Sequence, residues 1–305
     1  MDQKRIYGVG EKKPHPDVRA DLLVKTNGET VERHAGDLLY LAFPCLDETG
    51  VVRSAFSTRR GGVSSGIFST MNSSFTRGDD PRNVSENFRR IAAAAGFEPD
   101  SFTAGQQTHT DHILTVREKD RGNGVTKPQA YHDIDGLVTD VSGITLVTVH
   151  ADCPPVYLVD PVRRAAGLVH AGWRGTAAGI APKAVQLMGA QYGCRPEHII
   201  ALVGPGICRD CYEVAGACAE AFLGLFSPGE RERVLTSPHR DSDGIPHWQL
   251  DLAEANRLLL LRAGLQASHI HVSGVCTHCN AAYLFSHRKT GERRGLNAAF
   301  LSLLP

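Results

Sequence analysis

The side chains richest in chemistry lie between residues 105 and 175 of this 305-residue chain. The stretch contains GQQTHTDH, then DGLVTD, VTVHADCPPVYLVD and AAGLVHAGWRG. Cys153 and His170 each stand where an apolar strand pattern gives way to a Gly, Pro or polar turn, and His109 stands just before another strand. Strand ends that converge at a sheet edge can assemble ligands from distant sequence. Two neutral imidazoles and a thiolate suit Zn2+, and three protein ligands leave the fourth position open for chemistry. The bland alternative is a buried cysteine and two histidines with satisfied ring nitrogens, because nothing local fixes their separations.

Other patterns carry less. Gly62-Val63-Ser64-Ser65-Gly66 fits the serine-elbow pattern, but that turn needs a helix directly after it and IFSTMNSSF has no helical period. No phosphate-binding GxxxxGK[ST] loop, GxGxxG fingerprint or HExxH pair is present. Cys208-x-x-Cys211 and Cys276-x-x-Cys279 together suggest a four-thiolate site. A zinc ribbon, however, leaves about 15–20 residues between its pairs, whereas 64 residues separate Cys211 from Cys276. Spacing therefore favours small buried cysteines, and changing Cys276 and Cys279 to serine is expected to leave turnover within a few-fold.

The elements that must position these residues are short strands at 54–58, 112–116, 144–150, 156–159, 165–171, 199–204, 269–275 and 281–286. Helices are expected after Asn83 and Glu86 up to Gly96, over 176–192, over 211–226, and from Asp251 to Gly264. Loops are expected at 118–135 and 227–247, and long loops in compact domains are often functional. Strands mixed irregularly with helices imply an α+β fold of mixed sheets flanked by helices. The domain reading is a polar N-terminal segment over 1–35, an irregular arm or an edge hairpin, and one catalytic domain over 36–305.

Balanced charge, 33 basic against 33 acidic residues, argues against a broad electrostatic hold on nucleic acid or anionic lipid. No stretch reaches the roughly 20 apolar residues of a membrane span. The polar start MDQKRIYGVGEKKPHPD lacks a signal-peptide core, so the expected location is cytoplasmic. Eight cysteines in a chain of this size are not a disulfide framework.

The wording of the motifs adds more than their spacing. FSTRRGGVSSG with Asn72, QTH at 107–109, ADCPPVYLVDP, HAGWRGTAAGI, GPGICRDCYEV and the closing FSHRKTGERRGLNAAFLSL resemble the YfiH-like family. Its members are also called laccase-domain proteins, polyphenol oxidases or multifunctional purine nucleoside phosphorylases. The resemblance implies an α+β fold and a metal triad that falls on His109, Cys153 and His170. It implies phosphorolysis of adenosine, inosine and S-methyl-5'-thioadenosine, with adenosine deaminase activity beside it. The expected cofactor is Zn2+, with Cu2+ also binding such ligands in vitro. The small-molecule partners are then a nucleoside and phosphate. Within that reading Arg59 and Arg174, with Arg288 third, are the candidates for holding phosphate. Asp152 is a candidate proton shuttle or orienter of an imidazole, and His112 and His150 are alternatives to it. Two other roles proposed in the family are a cytoplasmic peptidoglycan-precursor editing amidase, with Cys153 as nucleophile and His170 as base, and a copper-dependent polyphenol oxidase.

Overall fold

Side chains alternate across a strand, and here that alternation decides the layering. The computed structural model describes residues 29–305. Among them the strands are β1 (Val31–Ala35), β2 (Leu38–Ala42), β3 (Val52–Ser57), β4 (Phe102–Ala104), β5 (Ile113–Thr115), β6 (Gly136–Thr139), β7 (Thr145–His150), β8 (Pro155–Asp160), β9 (Ala165–His170), β10 (Ile200–Val203), β11 (Glu213–Ala215), β12 (Leu235–Arg240), β13 (Pro246–Leu250), β14 (Ile270–Val272) and β15 (Asn297–Leu303). The helices are α1 (Pro44–Asp47), α2 (Pro81–Ala95), α3 (Trp173–Ala177), α4 (Ile180–Tyr192), α5 (Gly216–Leu223), α6 (Pro228–Val234), α7 (Leu252–Arg262) and α8 (His287–Thr290).

One sheet runs β1-β2-β3-β15-β7-β4, a second runs β14-β10-β8-β9-β6-β5, and a small third runs β11-β13-β12. In β15, Ala299 and Leu301 face the core between the two large sheets while Ala298 and Phe300 face α2. In β8, Tyr157 and Val159 face the inter-sheet core while Val156 and Leu158 pack with residues of α4 and α7. The main body is therefore four layers deep, helix against sheet against sheet against helix. Tyr157 crosses the middle, donating its hydroxyl to the Ala55 carbonyl at 3.0 Å. This is the mixed-sheet α+β class read from the sequence.

Helix ends follow local chemistry. α2 is capped by Asp80, whose side chain accepts from the Arg82 N–H, with Pro81 at its first position and Gly96 at φ 72° ending it. The expected start at Asn83 is thus one turn late. Pro182 lies in the first turn of α4, and Asp251 caps α7 through the Glu254 N–H.

Other boundaries differ from expectation. Residues 281–286 are not a strand, because the Tyr283 and Leu284 N–H groups both turn back to the Asn280 carbonyl. Tyr283, Leu284 and Phe285 are buried through a loop instead. The helix expected over 211–226 covers only Gly216–Leu223, since Glu213–Ala215 pairs with β13. The loop expected over 227–247 holds α6, β12 and the start of β13. Of the two alternatives for the N-terminal segment, its last residues take the edge hairpin, β1 pairing with β2, and residues 1–28 lie outside the described residues. Among the described residues no helix is long and apolar enough to cross a membrane.

Phe300 is fully buried and meets the rings of Phe88, Phe97 and Phe102. Phe300→Ala is expected to cost about 3–5 kcal/mol, read as a lowered urea midpoint with an unchanged slope. A change below about 1 kcal/mol would mean that this layer does not anchor the sheet.

Candidate active site

The parallel neighbours β4 and β7 end at the same edge of the first sheet. From there the chain crosses to the second sheet twice, through residues 105–112 into β5 and through 151–154 into β8. β9 ends at the same place, with Val169 opposite Gly136 at the start of β6. His109 lies on the first crossing, Cys153 on the second, and His170 closes β9. One ligand atom from each lies within 4.8 Å of the others. The sequence trio is brought together because three chain segments share one end of the sandwich.

The backbone is shaped for this meeting. His109 and Asp152 have φ of 66° and 89°, uncommon for residues with a Cβ. Gly172 lets these side chains close in, since a Cβ there would stand 3.0 Å from Cys153 Sγ and 3.2 Å from His109 Cδ2 and would press on both.

Asp135, fully buried, holds both histidine segments. Its carboxylate accepts His170 Nδ1 at 2.7 Å and the backbone N–H groups of Thr108, His109 and Thr110 at 2.9, 3.1 and 3.0 Å. Holding Nδ1 as the donor leaves His170 Nε2 to face its neighbours. Burial pushes Asp135 up, but the His170 bond and the N–H groups outweigh it and hold the carboxyl below its usual range. Burial likewise raises the Cys153 thiol, yet His170 and His109 bring it down to about 6. His170 is pushed down by burial but carried up to about 10 by Cys153 and Asp135. Each shift favours the charged form of its group, a thiolate on Cys153 beside a protonated His170.

Sequence reasoning missed Asp135, whose DGLVTD motif reads as a turn before a strand. Asp135→Asn is expected to weaken metal binding about 10–100-fold, as outer-sphere partners of ligating histidines typically do. Competition with a chromophoric chelator would measure it, and an unchanged affinity would remove Asp135 from the site.

A cavity of about 470 Å³ opens on the trio, within the usual range for small-molecule sites. His109, Cys153 and His170 line it together with Phe75, Arg77 and Arg294. Arg294 donates Nη1 to the Gly291 carbonyl at 2.7 Å, but its buried Nε has no hydrogen-bond partner. Arg77 pairs with Glu292 at 2.9 Å, and Arg294 is 3.8 Å from the same exposed carboxylate. Two guanidiniums thus share one carboxylate. Burial, and then Arg77, press the Arg294 pKa below its ordinary value. This corner of the cavity favours an anion. Neither arginine was singled out from sequence; the only signal was the basic GERRGLN run ahead of the last strand.

The arginines that were singled out stand elsewhere. Arg59 donates Nε to the Ser69 carbonyl at 3.0 Å and Nη1 to the Ala281 carbonyl at 2.9 Å, with its guanidinium over Phe285. It ties loops together. Arg174 is exposed over the Trp173 ring, and Arg288 spans from Tyr212 to the Glu213 carbonyl. None of the three lines this cavity.

The Asp152 carboxylate is likewise committed, accepting Thr277 Oγ1 and the Arg288 N–H, each at 2.6 Å. It braces the 273–290 segment, and Asp135 is the carboxylate that orients an imidazole. His150 uses both ring nitrogens, on the Cys153 carbonyl at 2.9 Å and Thr148 Oγ1 at 2.7 Å, and burial holds it neutral. His112 is exposed and paired with Asp133. Ser64 donates to Asp79 at 2.7 Å and is followed by a short 3-10 turn, so no serine elbow forms.

The two Cys-x-x-Cys pairs overturn the spacing argument, since Cys208, Cys211, Cys276 and Cys279 converge. The ribbon rule assumes pairs joined by a local hairpin. Here β10 and β14 are parallel neighbours, Ala201 opposite Ile270, and the loop after each carries one pair to the same sheet edge.

As a donor set, two imidazoles and a thiolate facing a cavity fit a mononuclear open site for zinc. Among the described residues, no group of mutually close ligands holds more than two histidines.

Comparison with known proteins identifies the family. Residues 53–304 match the family described as multi-copper polyphenol oxidoreductase laccase. The chain is 39% identical over 249 residues to a protein named purine nucleoside phosphorylase YlmD from Geobacillus stearothermophilus, covering 81% of this chain and 89% of that one. It is 34% identical over 243 residues to adenosine deaminase RL5 from an unknown prokaryotic organism, covering 79% of this chain and 90% of the other. The crystal structure of YlmD from Geobacillus stearothermophilus superposes with a TM-score of 0.81 at 34% identity, covering 90% of this chain and 100% of that one. A family model spanning most of the chain, relatives above 30% identity and a shared fold lead to one assignment: the chain belongs to the polyphenol oxidoreductase laccase family, the YfiH-like group that its motifs resemble.

Proposed function

We propose that the chain is a zinc-dependent purine nucleoside phosphorylase that acts on adenosine, inosine and S-methyl-5'-thioadenosine and also deaminates adenosine. One observation carries this reading: the His109–Cys153–His170 trio and the guanidinium-bearing residues Arg77 and Arg294 line one cavity of nucleoside size. In phosphorolysis a phosphate oxygen bonds to the ribose C1' while the C1'–N9 bond breaks, so the anion must be held beside the sugar. The planar fork of Arg294 suits two phosphate oxygens, with Arg77 adding charge. Phe75 offers a ring face to the purine. Asp135 keeps the His170 ring fixed through the reaction. A zinc ion on the trio supplies Lewis acidity at this wall and the means to activate water for deamination. The names of the relatives support both activities.

A second reading rests on the same metal-free chemistry. A Cys153 thiol near pKa 6 beside His170, itself bonded to Asp135, has the parts of a cysteine nucleophile and would serve a peptidoglycan-precursor amidase. Product analysis separates the readings. Adenosine and phosphate should give adenine with ribose 1-phosphate, and a slower yield of inosine with ammonia. An amino acid released from a muramoyl-peptide precursor, with nucleosides untouched, would select the amidase.

A further inference from the structure

A second cluster of metal-ligating side chains lies outside this cavity. Cys208, Cys211, Cys276 and Cys279 have their four Sγ atoms within 4.8 Å of one another, and all four are free thiols. With Ile207 and Tyr212 they form a separate small packed cluster. Four thiols crowded into one buried pocket need a reason, because nothing else in the local packing requires sulfur at each position.

Each pair is folded as a knuckle. The first closes through the Cys211 N–H to the Cys208 carbonyl at 3.0 Å, on a 3-10 turn at Arg209–Cys211. The second closes through the Asn280 N–H to the Cys276 carbonyl at 3.1 Å. A bridge between Gly206 and Cys276 and the Thr277 N–H to the Gly206 carbonyl at 3.0 Å lock the two knuckles together. The Cys208 and Cys279 N–H groups both point at Cys276 Sγ, at 3.2 and 3.4 Å. Donors aimed at sulfur stabilise a thiolate, the form that binds metal.

The dimensions fit a single tetrahedral ion. A tetrahedral zinc with bonds of about 2.3 Å sets its sulfurs about 3.8 Å apart, inside the observed window. A four-iron cluster would hold its cysteines further apart around the cluster body. A disulfide needs sulfurs about 2.05 Å apart, while Cys211 and Cys279 stand at 3.5 Å, and pairing them would strand the other two.

We propose that Cys208, Cys211, Cys276 and Cys279 bind a single zinc ion in a closed, structural tetrathiolate site, distinct from the open site on His109, Cys153 and His170. Four protein ligands leave no position for substrate, so the ion acts as a clamp. What it clamps adjoins the cavity. The Ile207 N–H donates to the Asp152 carbonyl at 2.8 Å and Thr277 Oγ1 to the Asp152 carboxylate at 2.6 Å. Both knuckles thereby grip the residue preceding Cys153.

The test is metal content of the purified full chain by mass spectrometry, beside cobalt-substituted spectra. The wild type should carry two zinc equivalents. Cys153→Ala should keep one, and its cobalt form should show the intense charge-transfer bands of four thiolates around a tetrahedral ion. Cys276→Ser with Cys279→Ser should lose one equivalent and melt at a lower temperature. If that double variant does not fold, the cobalt spectrum of Cys153→Ala still decides. A Cys153→Ala protein free of zinc, a spectrum with fewer than four thiolates, or a disulfide found in the freshly purified protein would each overturn the proposal.

Discussion

Cys153→Ala is expected to empty the open site while leaving the fold intact, and to lower turnover of inosine with phosphate about a thousandfold or more. The size follows from the loss of Lewis-acid stabilisation worth several kcal/mol, each 1.36 kcal/mol being tenfold in rate. The fold survives because Cys153 lies on a crossing between sheets, outside the apolar clusters that carry the layers. The loss should equal one zinc equivalent, with thermal unfolding within a few degrees of the parent. Full activity in the variant would mean that the trio is not the reaction centre. Loss of the fold would mean that the ion at this site is structural.

Arg294→Ala is the second large effect. Charge-stabilising donors aimed at a reacting anion are worth about 2.7–4 kcal/mol, so phosphorolysis should fall about 100–1000-fold with both metal sites filled. Deamination consumes water in place of phosphate and should fall far less. The ratio of the two activities is therefore the diagnostic quantity. Arg174→Ala, exposed over Trp173, should leave that ratio within a few-fold of the parent. If Arg174→Ala collapses the ratio and Arg294→Ala does not, the anion is held on the other side of the trio. Equal loss of both activities in Arg294→Ala would make it a residue that positions the nucleoside.

The difference between what the sequence disclosed and what it hid has a physical basis. The convergence of His109, Cys153 and His170 was legible in part: each sits where a strand pattern is punctuated, but nothing local fixed their separations, and the family motifs carried the choice of these three. Asp135 was not, since a carboxylate before a glycine has the signature of any turn, and only the folded crossing shows three N–H groups and an imidazole converging on it. Arg59 and Arg174 drew notice through their glycine-bearing motifs. Those glycines serve close packing instead, Gly62 against Thr70 and Gly172 against Cys153. Arg294 gains its meaning from β15, which inserts between β3 and β7 and brings the residues ahead of it to the cavity. The four-cysteine cluster was dismissed on sequence distance, which is uninformative when parallel strands β10 and β14 launch both loops from one edge. Residues 281–286 show the opposite error: an apolar run buried as a loop has the composition of a strand without its partners.

The most direct measurement is turnover of inosine by the zinc-loaded wild-type protein in phosphate buffer and in a phosphate-free buffer of equal ionic strength, with base and sugar resolved by chromatography. The predicted result is hypoxanthine and ribose 1-phosphate in equal amounts, formed only when phosphate is present and abolished in Cys153→Ala. Hypoxanthine released at the same rate without phosphate, or no base released under either condition, would contradict the account.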